Sequence, residues 1–111
     1  EIVTAVAGGG EVGLPVVSSL EGSVWRTGGW CLGRCARVRL RDPLHVRAVR
    51  EAQRGWQLLL YSPHAPQRGS KAILVRLHSC DFAEDGSAQV VGTGFREMRL
   101  IAVRAEPVNV A

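Results

Sequence analysis

The residues that could do chemistry fall into three groups. Cys31-Leu32-Gly33-Arg34-Cys35 carries two thiols four residues apart, a spacing that invites a metal reading. Structural zinc asks for about four ligands in paired C-x2-4-C or histidine-pair patterns. The remaining candidates, Cys80, His45, His64 and His78, are single and scattered. The expectation is therefore no metal, no cofactor and three inert, half-buried thiols. The second group is arginine. Arg37, Arg39 and Arg41 alternate along one strand face, and Arg47, Arg50 and Arg54 line one side of a predicted helix. The guanidinium fork matches phosphates and carboxylates, so these six are the candidate anion or nucleic-acid contacts, with plain solvation as the alternative. The third group, Val24, Trp25 and Trp30, lies in a glycine-rich loop. Large aromatics there either plug the end of a barrel or anchor a protein partner.

Catalytic patterns are missing from the sequence. Gly8-Gly9-Gly10 has no following G-K-S/T and no helix, so it is not a phosphate loop. No serine sits in a nucleophile elbow, and Glu84-Asp85 reads as part of a turn rather than as an acid/base pair. The sequence predicts a protein without enzymatic activity.

The elements that must position these groups are mostly strands. Asp85-Gly86 is a favoured two-residue hairpin pair, with positive φ expected at both positions. It joins a strand over 71–80 to a second one, Ala88 to Val91, which breaks at Gly92-Thr93-Gly94 and resumes at Phe95 to Val103. Glycines inside a strand pattern mark the bends that curl a sheet. Residues 36–41 alternate Ala/Val/Leu with arginine, a half-buried strand. Asp42-Pro43 starts a helix, Leu44, Ala48, Val49 and Ala52 form its apolar side, and Gly55 stops it in a left-handed cap. Trp56 to Tyr61 is a nearly continuous apolar strand, expected to be buried on both faces. Leu14-Pro15-Val16-Val17 is a short strand, and 106–111 adds a last one. Residues 1–7 suit a strand or a tail without a packed partner, so 1–13 is set apart as a flexible segment before a domain over 14–111. The expected fold is mainly β with one crossover helix near 43–54, a pseudo-barrel of about six strands.

The totals agree with one domain. The 111 residues suffice for a core without disulfides. Net charge is +4, and 13 of the 14 basic residues are arginine, which suits anionic partners and equally a GC-rich coding composition. No apolar run approaches the roughly 18 residues of a membrane span, and no signal-peptide pattern opens the chain. Three cysteines are an odd count, which points to an intracellular, cytoplasmic site. Glu1 in place of methionine suggests an excised piece of a longer protein.

In this order the chain resembles the amino-terminal (LON) domain of the Lon protease family, a PUA-like barrel. Leu14-Pro15-Val16-Val17 and the loop to Thr27-Gly28 resemble its "LPLLPL…V-x-FPG" opening, with Thr27 at the usual proline. Leu40 to Ala52 resembles its "IFEPRYRALVREA" strand-to-helix junction, with Arg41 and Leu44 replacing an aromatic and a basic residue. Leu58 to Pro63 followed by Gly69 to Ala72 resembles "GVVLYRP…GTLA". Asp85 to Val103 resembles "DGRLNVLVEGLRRFRILEV" without a gap, with Gly94, Arg96 and Arg99 at its G-x-R-x-x-R positions, and Pro107 to Ala111 stands at "PYLVA". The stretch from Cys31 to Arg37 is longer than the family pattern, so a divergent member or fragment is implied. The resemblance implies a domain that binds polypeptide segments for a protease or a ubiquitin ligase, with oligomerisation through a parent protein. Lon's ATPase and Ser-Lys protease parts are absent from these 111 residues. The alternative is an RNA-binding module, because PUA-like barrels often bind RNA and the chain is basic.

Overall fold

The computed structural model describes residues 2–7, 13–18, 30–63 and 65–106. Six strands and one helix follow in the order β1 (Ile2–Ala7), β2 (Leu14–Ser18), β3 (Cys35–Leu40), α1 (Pro43–Arg54), β4 (Leu58–Ser62), β5 (Lys71–Phe82) and β6 (Ala88–Glu106). The sheet runs β1-β2-β4-β5-β6-β3, and an additional β1–β6 pairing closes its first five strands into a ring. All ladders are antiparallel except β2–β4, which is parallel. A parallel pair needs a long crossover connection, and β3 with α1 lies within it.

Strand β6 organises the whole. Its 19 residues pair with β5 along most of their length, with β3 through Ala88 to Thr93, and with β1 through Leu100 to Glu106. The expected interruption at Gly92-Thr93-Gly94 is a bend within one continuous strand. The slack is taken up by register shifts against β5 at Leu74/Val75 and Leu77/Ser79. Residues 2–7 form a strand rather than a tail, ladder-paired on both sides.

Two apolar clusters sit on opposite faces of the sheet. Ala5, Val16, Leu60, Ala72, Leu74 and Leu100 come from each of the five ring strands and fill the ring. The second cluster joins the outer wall of the ring to the helix through Val17, Trp30, Val38, Leu40, Val49, Leu59, Tyr61, Val75 and Val90. Strand β4 is therefore buried on both faces: Leu59 and Tyr61 face the helix side, Leu60 faces the ring.

The helix begins as its residues dictate. The Asp42 carboxylate accepts from the Leu44 N–H at 2.8 Å, and Pro43 takes a first-turn position that lacks an N–H partner in any case. Its buried side is His45, Val46, Ala48, Val49 and Ala52, so Leu44, expected inside, is exposed. The stripe is rotated by one residue because His45 takes the inward position one turn before Val49. Its end also departs from expectation. Gly55 has φ −98°, and the left-handed residue is Gln57 at φ 61°. The Gln57 N–H donates to Ala52 O at 2.9 Å and its carbonyl accepts from Leu77 N–H at 2.9 Å. This reversal starts β4 at Leu58 and leaves Trp56 outside the strand, 68% exposed.

The hairpin turn is longer than the expected two-residue form. Gly86 N–H donates to Ala83 O at 3.1 Å and Ala83 N–H to Ser87 O at 2.9 Å. Only Gly86 has positive φ, at 87°. This is a turn followed by one left-handed glycine, a common three-residue hairpin loop. Asp85 keeps negative φ because its carboxylate binds forward to Ser87.

Candidate functional site

Of the three aromatic-loop candidates, Val24 and Trp25 lie outside the described residues. Trp30 is described, and it is a core residue at 1% exposure. Its indole meets Tyr61 edge-on at 5.7 Å between centroids, and Nε1 donates to Ala36 O at 3.3 Å. Trp30 is buried in the helix-side cluster, outside the ring, and not at the surface as an anchor. The reason is the floor beneath it: Gly92 has no side chain, and its missing Cβ would lie 3.2 Å from the Trp30 Nε1.

The six arginines do not form one surface. Arg37 and Arg39 project from the sheet face opposite Val38 and Leu40, which point at the helix-side core. Arg39 reaches Asp85 at 3.6 Å across exposed surface, and Arg41 is exposed one residue past the strand. On the helix, Arg50 lies 4.0 Å over the Phe82 ring and Arg54 pairs with Glu51 at 3.4 Å. Arg47 is half-buried. The strand row and the helix row thus lie on different sides of the sheet.

The thiols separate as well. Cys31 and Cys35 are exposed, not half-buried, and only Cys80 is half-buried. Burial, reinforced by the neighbouring Asp81 charge, pushes the Cys80 thiol above its ordinary range, which suppresses the thiolate. Among the described residues no group of three or more His, Cys, Asp or Glu side chains is placed to hold a metal ion.

Two surface features were not identified from the sequence. One is an open groove of about 410 Å³ lined by Pro63, Ser70, Lys71, Ala72, Ile73 and Glu97. Tyr61 pairs with Ile73, and Ile73 with Glu97, so the groove lies where β4 ends and β5 and β6 continue. Its lining is mainly apolar, and Lys71 and Glu97 form a 3.5 Å ion pair at its rim. The other is a set of exposed apolar side chains. Leu32, bridged to Gly94, is 53% exposed, and Phe95 beside that bridge is 41% exposed with the Arg76 guanidinium 5.1 Å over its ring. Trp56 stands at the opposite end of β4 from Pro63. Its position after Gly55 was the available signal, since a chain reversal there separates it from the strand.

A search of solved structures finds the N-terminal domain of the Lon protease of the Mycobacterium avium complex, with a TM-score of 0.55 and 18% sequence identity. The fold is similar to that of a Lon amino-terminal domain. The match covers 88% of this chain and 56% of the Lon chain, so this chain spans little more than half of that Lon fragment. At this identity the likeness is one of fold, and fold alone does not carry function. No family model matches the sequence, and no curated protein matches it. Among the described residues no helix is long and apolar enough to cross a membrane.

Proposed function

We propose that this chain is a non-catalytic recognition domain that holds extended polypeptide segments for a proteolytic or ubiquitin-ligase system. The observation that carries the reading is the groove at Pro63, Ala72 and Ile73. It offers an apolar floor with one positive and one negative group at its rim. A floor of that kind takes an apolar side chain of an unfolded segment, and the rim orients its backbone or its neighbours. The Lon-type fold supports the same reading, because the related domain belongs to a machine whose substrates are polypeptides. Exposed Trp56, Leu32 and Phe95 are further apolar side chains on the surface, outside the groove lining.

RNA binding through arginine is the second reading. The observation in its favour is the open Arg37–Arg39 row. It is weakened by the position of Arg50 and Arg54, which are engaged with Phe82 and Glu51, and by the lack, among the described residues, of an aromatic platform beside the row for stacking bases.

The test is fluorescence anisotropy with a reduced, alkylated, chemically unfolded protein as the probe. Glu97→Trp places a large ring at the groove rim from an exposed strand position. The proposed function predicts saturable binding that weakens about tenfold in this variant, equivalent to roughly 1.4 kcal/mol. Unchanged binding would remove the groove from the account.

A further inference from the structure

Strand β3 has a second edge. It pairs with β6 on one side, and at the end of the sheet order no described strand pairs with its other side. Which of its groups face that edge follows from the ladder. Gly94 N–H donates to Arg34 O at 3.2 Å, and in antiparallel pairs the bonded residues recur every second position. The even residues Ala36, Val38 and Leu40 therefore bond to β6. The N–H and C=O groups of Cys35, Arg37 and Arg39 point away from it, toward the open edge.

The side chains of those same odd residues lie on the exposed face. Arg37 and Arg39 are about 7 Å apart along it. Arg37 has no ion pair or hydrogen-bond partner among the described residues, and Arg39 has only the loose contact to Asp85. Across β6 the neighbours of this row are Gln89 and Val91, followed on β5 by Asp81 and Ser79. The row is thus positive at the edge, with Asp85 at 3.6 Å from Arg39 and Asp81 two strands away.

We infer that the open edge of β3 takes an extended acidic polypeptide segment as an added strand. The outward N–H and C=O groups of Cys35, Arg37 and Arg39 form the ladder, and Arg37 and Arg39 pair with carboxylates at alternate positions of the incoming chain. This inference rests on the polypeptide-binding reading and names a substrate class for it: segments with Asp or Glu at every second residue. Strand addition draws affinity from backbone bonds and specificity from alternate side chains, and this edge supplies both from the same residues. Charged residues also guard edges against self-pairing. The same arginines that repel a second copy of β3 attract a chain of opposite charge.

The experiment uses an eight-residue peptide of alternating Glu and Val, and the same peptide N-methylated at every second residue to remove its donors on one edge in each of the two phases. Binding is followed by amide NMR shifts and by titration at low salt. The expected result is shifts centred on Cys35, Arg37 and Arg39, and at least tenfold weaker binding for the N-methylated phase that blocks the ladder. Arg37→Gln with Arg39→Gln weakens the unmodified peptide by about tenfold, the combined size of two exposed charge pairs, with an unchanged far-UV spectrum as the control for folding. Equal binding by both N-methylated peptides and the parent peptide, or shifts centred outside β3, would overturn the inference. If the unfolded-protein probe still binds in that event, the broader reading stands and only the edge is lost. If neither probe binds, both fall.

Discussion

The indole of Trp30 sits directly on the backbone of Gly92. A Cβ at Gly92 would come within 2.7 Å of Val75 Cγ1, 3.0 Å of Arg76 O and 3.2 Å of the Trp30 Nε1. The large ring and the absent side chain are one device: β6 can pass beneath the indole only where it has no side chain.

Gly92→Ala is therefore expected to destabilise the fold by about 1–3 kcal/mol, the usual cost of forcing atoms into a filled core. Trp30→Ala leaves a cavity instead and costs about 3–5 kcal/mol. Urea unfolding followed by far-UV circular dichroism measures both. A Gly92→Ala variant as stable as the parent would mean that the contact is slack.

Gln57 carries the chain reversal at positive φ, a region that costs a non-glycine residue roughly 1–2 kcal/mol. Gln57→Gly should match or exceed the parent in stability, offset only by losing the exposed bond from Gln57 Nε2 to Gln53 O. Gln57→Val, β-branched at the same φ, should lose about 1–2 kcal/mol. The pair of denaturation midpoints decides it, and a valine variant equal to the glycine variant would contradict the assignment.

His45 is 7% exposed, and its Nδ1 has no hydrogen-bond partner among the described residues. Burial holds its imidazole below the ordinary value of 6.5, with the Asp42 charge pulling weakly the other way. The unfolded chain therefore takes up a proton before the folded one does. Stability from this group is complete above about pH 6.5 and declines as pH falls from there toward the folded pKa. Melting temperatures between pH 7 and 5 should fall for the parent, and the decline should be shallower in His45→Leu. Parallel slopes would show that other groups control the acid limb.

The hairpin turn makes a separate prediction at lower pH. The Ser87 hydroxyl donates to Asp85 Oδ1 at 2.6 Å and the Ser87 N–H at 2.9 Å. These bonds, helped by Arg39 and Arg41 against a small desolvation effect, hold the Asp85 carboxyl below its ordinary range. The stability it contributes is present above its unfolded pKa, near 3.9, and is lost as pH falls through the lower folded value. Carboxyl NMR titration should show the Asp85 pKa rising in Ser87→Ala, since the hydroxyl bond is the largest cause. No rise would assign the depression to the Ser87 N–H bond and the arginines.

The local grammar of the chain was legible where short-range chemistry decides. Asp42-Pro43 started the helix where the capping carboxylate predicts, and the alternation over 36–41 gave β3 its exposed arginine face. The hairpin of β5 and β6 and the doubly buried β4 were also readable, as was a mainly-β architecture with one helix, although β6 runs unbroken through the glycines where an interruption was expected. What depends on distant partners was not. Nothing near Ile2 announces its pairing with Glu106. Trp30 and Trp56 look alike in the sequence, yet one lies over a glycine of β6 and the other is turned out by the reversal at Gln57. The groove stayed hidden for the same reason, because Pro63, Ile73 and Glu97 meet only once three strands are aligned.

The central claim is that this barrel holds polypeptide segments and leaves them unchanged. Its most direct test is to titrate the 111-residue chain with the labelled unfolded protein, then recover the probe and weigh it by mass spectrometry. The account predicts saturable binding and a probe of unaltered mass. An absence of saturation, or a probe returned in pieces, would contradict it.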